Sequence, residues 1–344
     1  TAPAVPVITS GALTNSATPV ISGTAEVGST VAVTLGSGPN TATWTVTATN
    51  GTWSVNTASS TGKTTTGTGY TVANGSNSVS VVATDAAANA SVAATQTLVV
   101  NTTAPVVSGV SSPLANGSYK AGTVIDIGVV FSGPVLVTGT PQLTLETGTT
   151  DRVVSYSSGS GSNTLVFKYV VQPGDTSADL DYVLTTALSL SGGTIKDVAG
   201  NDAVLTLATP GASGSLGASK ALVIDTTAPA PTVALSSDTG TNGDRVTGSA
   251  GLTLNAVDGT RVITVDGSVV GAADLATATA ALSDGSHTVV VTDTDAAGNV
   301  GSASLTFTLD KTAPAVPVIT SGALTNSATP VISGTAEVGS TVAV

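Results

Sequence analysis

The chain has 344 residues and a net charge of −12, with 41% hydrophobic residues, only 9% charged ones and 3% aromatics. Its nine basic residues are scattered, which excludes a phosphate-binding surface for nucleic acid, and the absence of Cys excludes disulfides and thiolate metal sites. No apolar run approaches the roughly 18 residues needed to cross a bilayer, yet the hydrophobic fraction is enough to fill a core.

The Gly, Thr, Ser, Ala and Val that dominate the composition favour strands and turns over helices. In chain order, Ala42, Trp44, Val46 and Ala48 alternate with Thr41, Thr43, Thr45 and Thr47, which predicts a strand with one buried and one solvated face. Asn50-Gly51 then predicts a hairpin turn into 52–55, because both residues tolerate positive φ, and Trp53 is expected to point inward. Further strands are expected at 124–131, 142–146, 152–156 and 165–171. Beyond these, 262–265 meets Asp266-Gly267 and returns through 268–270, and 286–292 reads as one more strand. No segment has helical periodicity.

The phrase Thr-Ala-Pro recurs at 1–3, 103–105, 227–229 and 312–314, and three copies follow an apolar strand ending in Asn101, Asp225 or Asp310. Proline fixes φ and holds its predecessor extended, so the phrase makes a short, stiff joint. It divides the chain into modules at 1–102, 103–226 and 227–311, sized like immunoglobulin-type sandwiches, followed by 312–344. Residues 312–344 are identical to 1–33, a repeat with a period of 311 residues that points to a duplicated segment of a larger repetitive protein. Opening as it does within a joint, the sequence is expected to be a window on something longer.

The first module resembles the bacterial Ig-like domains of giant secreted adhesins. The matching phrases are Pro-Val-Ile-Ser-Gly-Thr-Ala-Glu-Val-Gly-Ser-Thr-Val at 19–31, Gly-Thr-Trp-Ser-Val at 51–55, and the stretch from Asn77 to Asp85-Ala-Ala-Ala-Asn89. The third shares the ending from Asp284-Gly-Ser-His to Asp293-Thr-Asp295-Ala-Ala-Gly-Asn299, although its early strands match less well. The middle module resembles another unit of such proteins, through Phe131-Ser-Gly-Pro-Val, Gly139-Thr-Pro-Gln-Leu and Gly193-Thr-Ile-Lys-Asp197-Val-Ala-Gly-Asn201. The fold expected is all-β, tandem Ig-like antiparallel sandwiches strung as beads on a rod. The resemblance implies a surface-exposed stalk or biofilm fibre, exported from a Gram-negative cell and often stiffened by calcium.

Calcium takes six to eight oxygen ligands, so the placement of so few acids is informative. At the joint after the third module, Asp293, Asp295, Asp310 and Glu337 are expected to gather into a structural Ca2+ site. Asp197, Asp225 and Asp258 are expected to form a weaker set after the second module, while after the first the set shrinks to Asp85, with Asn101 in place of the linker Asp, a joint expected to bind no ion. Each of these residues is equally an ordinary turn former. Asp175, Asp179 and Asp181 are spaced loosely like an ion loop but lack its Gly and terminal Glu. His287 is the only histidine, expected to pack or cap a turn, and the chain offers no nucleophile elbow, no zinc cluster and few aromatic platforms, so an enzyme is not expected. Partners expected are neighbouring repeats of the same chain, other fibres or a host or matrix surface. The competing readings are a glycan- or ice-binding Thr face (41, 43, 45, 47), and a filament assembled by strand exchange of 312–344 for 1–33 in a neighbour.

Overall fold

A computed structural model describes residues 1–67 and 69–344, and nearly all of its regular structure is β-strand. The chain divides into two compact units, Thr1–Gly117 with Ala121–Ile224, and Ser118–Lys120 with Asp225–Val344.

Within the first unit, residues up to 100 form two facing sheets. One is antiparallel and joins Val7–Ile8, Val20–Thr24 and Thr52–Asn56. The other has six strands in the spatial order Leu13–Thr14, Ala94–Val100, Gly75–Thr84, Thr30–Ser37, Asn40–Thr47 and Lys63–Thr66, parallel only at its first pair. Period-two alternation explains the core. Ala42, Trp44 and Ala48 are buried, joined by Val31, Val33, Val79, Val81 and, from the opposite sheet, Ile21, Trp53 and Val55. The Trp44 indole donates to the Ser59 carbonyl at 2.8 Å. Trp53 lies over Gly23, where a Cβ would sit 1.9 Å from the Val7 carbonyl oxygen and 2.5 Å from Trp53 Cζ2, so only glycine fits.

Asn50 and Gly51 do adopt positive φ, +53° and +80°. The strands they join, however, lie in different sheets, so the turn is an arch over the edge of the core rather than a ladder hairpin. Only Thr49 and Thr52 pair across it. The Asp266-Gly267 turn, with φ of +50° and +81°, does close a hairpin, pairing Val265 with Ser268 and Ile263 with Val270. The same dipeptide chemistry thus serves two topologies, and the flanking burial pattern decides which.

The second half of that unit is organised by one 15-residue strand, Val124–Thr138. Its first half pairs with Val107–Ser111 and Ser162–Val170, and its end pairs with Thr194–Lys196. The register shifts between Val130 and Val135. Pro134 falls in that interval, where its missing N–H costs no ladder bond. The expected strands at 142–146, 152–156 and 165–171 appear as Gln142–Glu146, Arg152–Ser158 and Ser162–Val170. Two short helices, Leu216–Ser219 and Leu275–Ala280, were not expected; four and six residues are too few to impose a periodic pattern.

In the second unit, Val233–Leu235 pairs with Leu252–Leu254. A five-stranded sheet orders Val246–Thr247, Val300–Leu309, Gly285–Thr294, Thr260–Val265 and Ser268–Val270. Ile263, Val289, Val291, Phe307 and Leu309 fill its core. Residues 312–344 contribute one small pairing, Val318–Ile319 with Gly334–Thr335.

Candidate functional site

Three turns share one construction. Asp85, Asp197 and Asp295 each accept the backbone N–H of the Asn four residues on, Asn89, Asn201 or Asn299, at 2.8–2.9 Å through Oδ1. Each also accepts that Asn's side-chain amide at 2.8 Å through Oδ2. The backbone closes the same loop, the Asp N–H donating to the Asn carbonyl at 3.0–3.1 Å. The second proton of the Asn amide is therefore aimed outward. In the second and third modules it meets the chain arriving from the module before: Asn201 Nδ2 donates to the Asn101 carbonyl at 2.7 Å, and Asn299 Nδ2 to the Asp225 carbonyl at 2.9 Å. The turn grips its own module's incoming linker, not the outgoing one expected from the order of the motifs.

The linkers are stiffened from within as well. Asn101, Asp225 and Asp310 each accept, through Oδ1, the N–H two residues on (Thr103, Thr227 or Thr312) at 2.9–3.1 Å. Such Asx turns pre-set the chain into Ala-Pro. Two side chains hold the departing strand end: Asn74 accepts from Thr102 N and Oγ1 at 3.0 and 2.8 Å, and Asp284 from Lys311 N and Thr312 Oγ1 at 2.9 and 2.6 Å. These bonds hold Asp284 below the usual carboxylate range, the Thr312 hydroxyl most of all. Asn74 was not noted in the sequence, and Asp284 was noted only as part of a matching phrase; the signal for this role was the Asx-Gly pair opening each long strand.

Among the described residues no three acidic or histidine side chains converge as a metal cage requires. Asp293 is 1% exposed and forms a two-pronged ion pair with Arg261, Nε to Oδ1 at 2.7 Å and a terminal nitrogen to Oδ2 at 2.6 Å. The guanidinium holds its carboxyl below the usual range, with a smaller contribution from the backbone N–H of Asp258. Burial pushes Asp295 up, but the Asn299 amide and three backbone N–H groups outweigh it and hold it low. Asp85 is likewise held low, chiefly by the Asn89 amide. Glu337 accepts from Ala315 N at 3.0 Å. Both oxygens of Asp85, Asp197, Asp293 and Asp295 accept hydrogen bonds from the protein. Arg261 was missed because a single Arg opening an apolar strand carries no motif.

The loose acidic loop is also used internally. Asp175 accepts from Arg152 Nε at 2.7 Å and from the Tyr169 hydroxyl at 2.7 Å. Burial with that carboxylate pushes the Tyr169 phenol up. Asp181 receives Tyr182 N and Gly211 N, both at 2.9 Å. His287 lies between Asp266 Oδ2 at 2.8 Å and the Ser283 carbonyl at 2.7 Å, with its ring 5.9 Å from that of Phe307, and so caps a turn as expected. Of the Thr face, Thr41 and Thr43 share hydroxyl hydrogen bonds with Thr66 and Thr34 at 2.8 Å.

Residues 225–311 match the family model of the bacterial Ig-like domain. Among curated proteins no sequence matches the chain. Similar solved structures include part of a 1.5-MDa bacterial ice-binding adhesin, described for host cell surface retention, at 18% identity over 86% of this chain and 91% of that one (TM-score 0.38). Another is a tetra-tandem repeat from the extending region of a large adhesion protein, at 19% identity over 93% and 77% (TM-score 0.27). A third comprises fibronectin(III)-like modules of Clostridium thermocellum CbhA, at 16% over 58% and 93% (TM-score 0.21). The resemblance to bacterial Ig-like domains therefore has its family-model match on the third module, the one whose early strands are the less typical in sequence.

Proposed function

We propose that this chain is a stretch of an extracellular adhesin stalk or fibre on a bacterial cell, with a mechanical rather than a catalytic task. The observation that carries this reading is the reuse of the Asp–Asn turn: in both internal linkers the same amide-to-carbonyl bond holds the linker residue, Asn101 or Asp225. A chain whose polar chemistry is repeated at each junction is suited to passing position and load from module to module. The bacterial Ig-like match at 225–311 supports the cell-surface setting, and the 311-residue period supports a covalent array. Attachment of a Gram-negative cell to a surface or to biofilm matrix is the role this reading assigns.

Strand exchange is the weaker alternative. A neighbour's residues 312–344 would have to displace 1–33, an incumbent of identical sequence. The interface formed would be the same as the interface broken, and the tethered incumbent has the higher effective concentration. Calcium stays in the proposal only for linkers whose residue is Asp225 or Asp310, where a carboxylate stands in place of the Asn101 amide.

Immunogold labelling of intact cells that carry the gene tests the assignment. The expected result is label outside the envelope and loss of surface attachment when the repeats are deleted. Label seen only after permeabilisation would end it.

A further inference from the structure

We propose that the joint between the first and second modules is a self-sufficient amide–carboxylate clasp that needs no metal ion, and that Asn101 makes it so. Whatever the chain is attached to, this follows from donors and acceptors. Asp197 is 8% exposed and has no cationic partner in the clasp. Its Oδ1 receives Asn201 N at 2.8 Å, and its Oδ2 receives both the Asn201 and the Asn101 side-chain amides at 2.8 Å. Asn201 at the same time binds the Asn101 carbonyl at 2.7 Å, so the linker residue is held by side chain and backbone together. Asn101 is also tied to its own module, its N–H donating to the Thr14 carbonyl at 2.9 Å.

The orientation of both amides is dictated by their partners. Flipping Asn101 would put its oxygen against the Asp197 carboxylate and its NH2 against the Thr103 N–H that its oxygen now accepts. Flipping Asn201 would set its oxygen against two acceptors at once. The clasp therefore presents N–H groups, not oxygens, where a calcium ion would need ligands, and calcium binds through oxygen. The corresponding linker positions carry Asp225 and Asp310, which cannot donate in this way. Replacing Asn101 by Asp would bring two carboxylates to hydrogen-bond distance, a pair that is stable only with a shared proton or a cation.

The test uses the full chain, which has no native Cys, spin-labelled through S78C and S157C, exposed positions in the two modules. Double electron–electron resonance is recorded in millimolar calcium and in EDTA, with and without Asn101→Asp. The native asparagine should give one narrow distance distribution, unchanged between the two conditions. The N101D chain in EDTA should be at least roughly twice as broad, and should narrow when calcium is added. Broadening of the native distribution in EDTA overturns the proposal without reference to any variant. So does an N101D chain that stays as narrow as the native one in EDTA.

Discussion

Arg261→Met isolates the buried ion pair of the third module. Arg261 and Asp293 stand directly opposite each other on neighbouring strands, with side chains 9% and 1% exposed. Arg261 also donates to the Asn255 carbonyl at 2.7 Å, which ties the preceding loop to the sheet. Methionine keeps much of the stem's packing and removes the charge, leaving a buried carboxylate with little more than the Asp258 N–H. Breaking such a pair from one side costs about 3–5 kcal/mol, and on a module of this size 3 kcal/mol alone lowers the midpoint by roughly 12–24 °C. Both tryptophans lie in the first module, so intrinsic Trp fluorescence does not see this event. Hydrogen exchange of the Gly285–Thr294 amides, resolved by mass spectrometry, does. The double variant R261M/D293N should recover most of the loss, since no unpaired charge remains. With Asp293 held low, the pair's stabilisation is present above the ordinary carboxylate range and disappears as pH falls through the depressed value. A single variant within about 0.5 kcal/mol of native would refute the reasoning, because exposed pairs behave that way. Equal loosening of the native strand by EDTA would refute it too, since Asp293 would then be serving a cation.

Two further outcomes follow from the packing and from the single imidazole. Gly23→Ala pushes a methyl into the Val7 carbonyl and the Trp53 ring; overpacking of this kind costs about 1–3 kcal/mol, and chemical denaturation read by Trp fluorescence should show it at the lower end or beyond. A native-like midpoint would mean that the two sheets are not seated as described. His287 is pushed above its ordinary pKa, first by Asp266 and then by the Ser283 carbonyl, so its contribution is full below about pH 6.5 and is lost as pH rises through the raised value. As the only histidine it gives one imidazole resonance, which should titrate above the ordinary range; titration at or below that range would remove the ion pair with Asp266.

How much of this was legible depends on whether the cause is local. The buried faces of 42–48 and the Asp266-Gly267 hairpin follow from period two and from positive φ, both properties of a few adjacent residues. That Asn50-Gly51 arches between sheets depends on which strands flank Asn40–Thr47, and these come from elsewhere in the chain. The candidate site divides in the same way. Recurrence of Asp and Asn at the joints is visible in the sequence, and the acids stand out there as ligands. The amide halves of the motif, Asn89, Asn201 and Asn299, show themselves as donors only once the turn is folded. One-letter spacing does not distinguish an amide that donates to a carboxylate from a carbonyl that would sit beside it as a ligand.

The repeated segment separates the two kinds of cause within one molecule. Residues 1–33 and 312–344 are the same sequence, yet only the first copy has the strands of 40–100 beside it. What both copies share is encoded locally. Val7 pairs with Thr24 as Val318 pairs with Thr335, and Ser29 closes onto the Glu26 carbonyl as Ser340 does onto Glu337, each N–H at 3.1 Å. Gly28 and Gly339 both take positive φ, at +80° and +89°. What the later copy lacks is tertiary. Leu13–Thr14 is a strand only because Ala94–Val100 lies beside it, and Thr30–Ser37 needs neighbours on both sides, whereas 341–344 has no strand. Burial follows: Ile21, Val31 and Val33 are 0–2% exposed, while Ile332, Val342 and Val344 are 49–95% exposed. The turns and this register are thus set by residues that both copies contain, while the burial of the apolar face depends on the strands of 40–100. In a repetitive chain, pairing with residues close in sequence is favoured over pairing with a copy of the same strand from farther away, because the shorter loop costs less entropy to close.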